Sequence, residues 1–179
     1  IIADVIAQLV ADVPGRLDEG RYPVVKLGDD VLRPVAAPDA SGRPLFALER
    51  STVLPILDYS DASGLGRILR ARLPARFAEP KDGAGPGLSI VFTAHNAFML
   101  KTMALAGRGV AWLPESLVAD ELRTRQLVPA GGDAWRVPVE VRLYRQNAQM
   151  TPTAEALWEV VGGAAAGDAD SVTGPQAAG

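Results

Sequence analysis

FTAHNAFMLKTMALAGRGVAWLPESLV, Phe92 to Val118, decides how the rest of the chain is read. A strand-sized apolar run, LSIVFT from Leu88 to Thr93, gives way across the short loop Ala94-His95-Asn96 to residues spaced as in a helix. Phe98, Met99, Thr102, Met103 and Ala106 are expected to line one helical face, and Gly107 offers the left-handed stop with which many helices end. A second turn, Arg108-Gly109, then leads into the short strand VAWL. Pro114 is placed to open a further helix, with Leu117, Val118 and Leu122 as its apolar side.

The same unit recurs upstream. VLPIL, Val53 to Leu57, is strand-sized, and the polar group from Asp58 to Ser63 separates it from Leu65, Ile68, Leu69 and Leu73 at helical spacing. Pro74 limits that helix, and KDGAGPG after it reads as a loop. Towards the start, Ala3 to Val10 reads as a short buried strand. In YPVVKLGDDVLRPVAAP, Val24, Val25 and Leu27, then Val31, Leu32 and Val35, flank the polar turn Gly28-Asp29-Asp30, so two paired or consecutive strands are expected. PDASGRPLF, Pro38 to Phe46, is too rich in turn residues for a long element.

Downstream, LVPA from Leu127 is a short strand, and VPVEVRLYR alternates Val137, Val139, Val141 and Leu143 with polar neighbours, as a half-buried strand does. Thr151 as N-cap and Pro152 at the first helical position start a last helix through Leu157, Trp158 and Val161. From Gly162 onward too little can be buried, and 162–179 is expected to be a disordered tail. Strands alternating with helices across short loops predict an α/β fold with largely parallel sheets.

Composition narrows the chemistry. Of 179 residues, 48% are hydrophobic, enough for a real core, yet no apolar run approaches a membrane span. Without cysteine, thiol nucleophiles, iron-sulfur clusters and the usual structural zinc sites drop out. A net charge of −3 with dispersed arginines makes the chain itself a poor holder of phosphate backbones. No secretory signal is visible, which fits a cytoplasmic protein, and a start at Ile1-Ile2 rather than Met suggests a fragment.

The only histidine, His95, has a pKa range suited to a general base. A base needs a nucleophile or activated water and an orienting partner, and no nucleophile signature such as G-x-S-x-G is present. His95 is therefore expected to touch ligand or solvent, with no catalytic residue assigned. Asp58 and Asp61, with the hydroxyls of Tyr59, Ser60 and Ser63, crowd a loop feeding a helix; capping by Ser60 or Ser63 explains them more simply than a metal, and neither metal nor cofactor is assigned. SGLGRIL lacks the Lys-Ser/Thr of a phosphate loop, so Gly64 and Gly66 serve close packing, though the free N–H groups there suit a carboxylate. Met99 and Met103, one helical turn apart, are core filler or an oxidant-sensing pair that forms sulfoxide.

MALAGRGVAWLPESLV resembles the effector-binding domain of LysR-type transcriptional regulators. The matching features are the Ala-Gly-x-Gly turn at Ala106-Gly107-Arg108-Gly109, the strand Val110 to Trp112, Leu113-Pro114, the helix after it, and Leu127-Val128. VEVRLYR and TPTAEALWEVV are similar to that family's closing strand and last helix, and GVAWLPESLV with RLYR is similar to a subgroup that answers hypochlorite through methionine. The resemblance implies a two-lobed, type 2 periplasmic-binding-protein-like fold. Residues 36–133 would form a complete second lobe, and 1–35 with 134–161 a partial first lobe with hinge strands.

It also implies a small effector between the lobes, its contacts being Gln8, then Tyr59, Ser60, Asp61 and Ser63, then Thr93, Ala94, His95, Asn96 and Phe98. Two helix N-termini beside those loops favour an anion. Family members begin with a helix-turn-helix, so operator DNA is expected to be reached only through such a segment before Ile1, and the full-length protein to be a homo-oligomer without membrane attachment. A stand-alone solute-binding module of the same fold, or an α/β enzyme using His95 with Asp58 or Asp61, are the alternatives.

Overall fold

The computed structural model describes residues 5–10, 21–49, 53–73 and 87–170. In chain order these are β1 (Val5–Val10), β2 (Val24–Ala36), β3 (Val53–Tyr59), α1 (Gly64–Arg72), β4 (Gly87–Ala94), α2 (Ala97–Leu105), β5 (Ala111–Pro114), α3 (Glu115–Arg123), β6 (Val128–Pro129), a 3-10 turn at Asp133–Trp135, β7 (Val137–Arg145) and α4 (Pro152–Asp170). They fall into two compact units. Unit 1 holds 5–9, 21–29 and 140–170 of the described residues, and unit 2 holds 10, 30–49, 53–73 and 87–139.

One sheet runs in the order β1-β7-β2-β5, with β6 also on β2. β2 meets both β5 and β6 antiparallel, in the registers Arg33↔Leu113 and Ala36↔Val128, which corrects the expectation of largely parallel sheets. The second sheet, β3-β4, is parallel, as strand-helix-strand connectivity requires. Val110 adds a parallel bridge to Ile56. Leu32, Val35, Leu54, Ile56, Leu57, Trp112, Leu113 and Leu127, all nearly or fully buried, form the core of unit 2. Among the described residues of unit 1 the buried side chains are Leu143, Tyr144 and Met150.

The expected turn at Gly28-Asp29-Asp30 is absent, and β2 runs unbroken through it. Its polar residues have partners that a strand can supply. Lys26 reaches Asp29 at 2.7 Å and Glu140 at 3.1 Å, while Asp30 is buried and accepts from Ser116 N–H at 3.3 Å and Ser116 Oγ at 2.5 Å. Ser116 lies in the first turn of α3, whose N-cap position is Pro114, a residue with no capping side chain. Asp30 thus caps α3 from another element.

The expected face of α2 is also corrected. Leu100 and Ala104 are fully buried, whereas Phe98 and Met99 are 65% and 48% exposed, Thr102 and Ala106 are exposed, and Met103 is half-buried. Helix α2 is apolar nearly all round, so periodicity alone does not choose its inner side. Gly107 does end it, at φ 69°: Gly107 N–H bonds to Ala104 O and Arg108 N–H to Met103 O, the paired closure of a Schellman motif.

The tail expectation fails in part, because α4 continues from Pro152 to Asp170. Its alanines are strong helix formers and extend a helix already begun. Thr151 caps it, receiving Ala154 N–H at 3.4 Å. Residues 171–179 and 81–86 of the KDGAGPG loop lie outside the described residues, and its last residue, Gly87, opens β4.

Candidate functional site

The C-terminal ends of β3 and β4 lie side by side, with Asp58 opposite Thr93 and Tyr59 opposite Ala94. The loops that follow are tied together where they start, since Ser60 N–H donates to Ala94 O at 2.9 Å and Ser60 Oγ lies 3.4 Å from His95 Nδ1. Each loop then enters a helix. Ser63 N–H closes a turn on Ser60 O at 2.9 Å before α1, and Asn96 caps α2 by accepting Met99 N–H at 3.0 Å.

Ser60, Thr93, Ala94, His95 and Asn96 are therefore brought together, and Ser60 and His95 touch. Asp61 is fully exposed at the loop tip. Phe98 stands out from the first turn of α2, with the Lys101 ammonium 6.0 Å from its ring centre. Gln8 belongs to β1, and its side chain lies outside the described residues.

Tyr59 and Ser63 are set apart from the surface. Tyr59 is 1% exposed, and its hydroxyl donates to Trp112 O at 2.9 Å, so the phenol is a core bond rather than a free ligand contact. Burial, with a smaller contribution from Asp58, pushes its pKa well above the ordinary phenol range. Ser63 is buried at the N-cap position of α1, yet neither it nor Ser60 caps by side chain, which corrects that expectation; Ser63 offers its carbonyl to Arg67 N–H instead. Gly66 is the residue that lets the helix approach: a Cβ there would stand 2.9 Å from Tyr59 Cβ and 3.0 Å from Ser60 O. Close packing by glycine is thus confirmed at Gly66.

Arg70 is a residue that the apolar spacing of Leu65, Ile68, Leu69 and Leu73 did not single out. Its guanidinium donates to Tyr59 O at 3.3 Å and Ser60 O at 3.4 Å, and it lies 3.8 Å from Asp58 and 3.5 Å from Asp61. It staples the loop to α1 and engages both loop carboxylates. Its place one turn after Gly66, on the side that packs against β3, is the only sequence signal for this role.

Charge at the helix starts completes the geometry. Neither α1 nor α2 has an acidic residue in its first turn, whereas α3 has Glu115 there and Asp30 beside it. The positive end of the helix dipole is therefore left without a first-turn carboxylate at α1 and α2, although Asn96 takes the Met99 N–H of α2. Among the described residues no carboxylate pairs with His95.

Comparison with known proteins agrees with this architecture. The family described as LysR substrate binding domain matches residues 9–166. The HTH domain-truncated transcriptional regulator QseD of Escherichia coli O157:H7 is 35% identical over 140 residues, covering 78% of this chain and 54% of that protein. The chain spans about half the length of the curated relatives it matches. The full-length structure of HypT from Salmonella typhimurium, a hypochlorite-specific LysR-type transcriptional regulator, superposes with a TM-score of 0.76 at 28% identity, over 93% of this chain and 53% of that one. The bromide ion-bound regulatory domain of the same regulator gives 0.73 at 27% identity, over 92% and 73%.

Among the described residues no helix is long and apolar enough to cross a membrane. With its α/β, periplasmic-binding-protein-like fold, the chain belongs to the LysR substrate-binding domain family.

Proposed function

We propose that this chain is the effector-sensing part of a cytoplasmic LysR-type regulator, non-enzymatic, and that its effector is a small anion held at the loops after β3 and β4. The observation that carries this reading is the pair of neighbouring helix starts, α1 and α2, both without a first-turn acid. N–H groups and the dipole favour negative charge there. Ser60, Thr93, His95 and Asn96 are the polar contacts, and Phe98 an apolar one. A related regulatory domain that holds bromide supports the same charge preference. In a full-length homo-oligomer, binding would shift the equilibrium between arrangements of the DNA-binding segments and so change operator binding.

Gly64→Asp tests the proposal without endangering the fold. The nearest atom to a side chain at Gly64 is an Arg67 nitrogen at 3.9 Å, and an acid at a helix start stabilises by about 0.3–1 kcal/mol. In thermal melts with bromide or short carboxylates, wild type is expected to rise in Tm with anion concentration. The variant should start equal or higher and respond weakly. An equal response in both, or none in wild type, rejects the anion site.

A second reading, oxidant sensing through Met99 and Met103, has one observation in its favour: Met99 is 48% exposed and open to hypochlorite, as Met103 is less so. Hypochlorite would transfer oxygen to the thioether sulfur and leave as chloride. Peptide mass mapping should find sulfoxide on Met99 before Met103, and on buried Met150 last. The reverse order, or no change in the DNA binding of the full-length regulator after oxidation, removes this reading.

A further inference from the structure

Unit 2 carries a concavity lined by none of the residues assigned to the loops after β3 and β4. Two open grooves of about 450 and 470 Å³ share Arg43, Pro44 and Pro129, and the smaller also takes in Leu122, Arg125 and Leu127.

Arg125 is the unusual element. Helix α3 ends in the motif that ends α2: Gln126 N–H bonds to Glu121 O at 2.9 Å, and Arg125 N–H to Leu122 O at 3.3 Å. In α2 the left-handed position is filled by Gly107, but in α3 it is filled by Arg125 at φ 60°, the one non-glycine residue of positive φ among the described residues. A side chain there crowds the following carbonyl, so glycine would fold better. Helix electrostatics does not explain the choice, because Arg123 already sets a cation in the last turn of α3. A residue held in a disfavoured backbone region points to a role for its side chain.

The guanidinium is placed over Gly42, itself at φ 80°, with Nη2 4.0 Å from where a Cβ would stand. The nearby acid is already engaged. Asp39 accepts from Ser41 N–H, Ser41 Oγ and Arg43 N–H at 2.8, 2.6 and 3.1 Å, and the Ser41 bond foremost holds its carboxyl below the ordinary range. Arg43 turns its Nε to Ser41 Oγ at 2.9 Å and lies 3.7 Å from Asp39, and among the described residues no carboxylate pairs with Arg125. Glu49, on the larger groove, faces Gly132 N–H at 3.2 Å and disfavours an anion at that end.

We propose that this groove binds a small amphiphilic carboxylate, its head on Arg125 and Arg43 and its apolar body along Pro44, Leu122 and Pro129. Guanidinium forks suit a planar carboxylate, and the groove has the size of ordinary small-ligand sites. The site stands independently of the anion site at the β3 and β4 loops.

Octanoate is the probe, titrated into the whole chain and followed by backbone amide NMR shifts. Saturable shifts in the segments around Pro44 and 122–129 are expected, separate from any at the loops after β3 and β4, with a dissociation constant on the order of 1 mM for a ligand of about ten heavy atoms. Octanol, the uncharged counterpart, should bind at least about tenfold more weakly. Arg125→Gly should weaken the octanoate response of the segments around Pro44 and 122–129 about tenfold while raising Tm, because glycine fits the left-handed position. No saturable shift, octanol binding as well as octanoate, or unaltered affinity in Arg125→Gly overturns the proposal.

Discussion

Replacing Gly109 by alanine is expected to destabilise unit 2 by about 2–4 kcal/mol, measured by denaturant unfolding, with no change in the residues that face solvent. A Cβ at Gly109 would stand 2.5 Å from Pro55 O and 3.1 Å from Pro55 C, both backbone atoms that cannot swing aside. Those atoms are further held by Val110 N–H on Pro55 O at 2.9 Å and Leu57 N–H on Val110 O at 2.9 Å. Relief of the clash must therefore break the bridge that joins the segment before β5 to β3. The second glycine of the Ala106-Gly107-Arg108-Gly109 turn is thus needed for close approach, while the first, Gly107, is needed for its backbone angle. A loss below about 0.5 kcal/mol would show that the two segments separate easily and would refute this account.

Leu100→Ala should cost a similar or larger amount, about 2–5 kcal/mol, because Leu100 is fully buried where α2 packs on β3 and β5. Met99→Ala, one position earlier on the same helix, should change stability by less than about 0.5 kcal/mol, since Met99 faces outward. The contrast decides which face of α2 is internal. Equal losses at the two positions, in paired thermal or urea melts, would contradict the packing described for α2.

That face was not legible in the sequence, for a definite reason. Phe98, Met99, Met103 and Ala106 satisfy helical spacing as well as Leu100 and Ala104 do, so the choice rests on packing against β3 and β5, which spacing within the helix does not record. Elements whose limits carry their own chemistry were legible: α2 starts at the capping Asn96 and stops at Gly107, and α3 follows Pro114. Gly28-Asp29-Asp30 misled because its partners, Glu140 and Ser116, are 114 and 86 residues away from Lys26 and Asp30. Local turn chemistry was outweighed by contacts that no window contains.

The candidate site divides in the same way. Ser60, His95 and Asn96 could be foreseen, because a strand that ends in a polar loop before a helix places its loop at the sheet's C-terminal edge. The burial of Tyr59 could not, since its hydroxyl partner is the Trp112 carbonyl, 53 positions on. Arg70 was hidden for a related reason: an arginine among exposed helix positions looks solvated until the loop it clamps is seen.

Trp112 has a consequence of another kind. Its indole lies 6.2 Å from that of Trp135 at 55°, and its Nε1–H donates to Trp135 O at 2.9 Å, all within unit 2. The third tryptophan, Trp158, belongs to unit 1 and sits under the Arg145 guanidinium at 5.5 Å. A tryptophan pair, with Trp112 buried and Trp135 half-buried, thus marks one unit and a single cation-stacked chromophore marks the other, so ultraviolet dichroism and emission colour separate the two halves without any added dye.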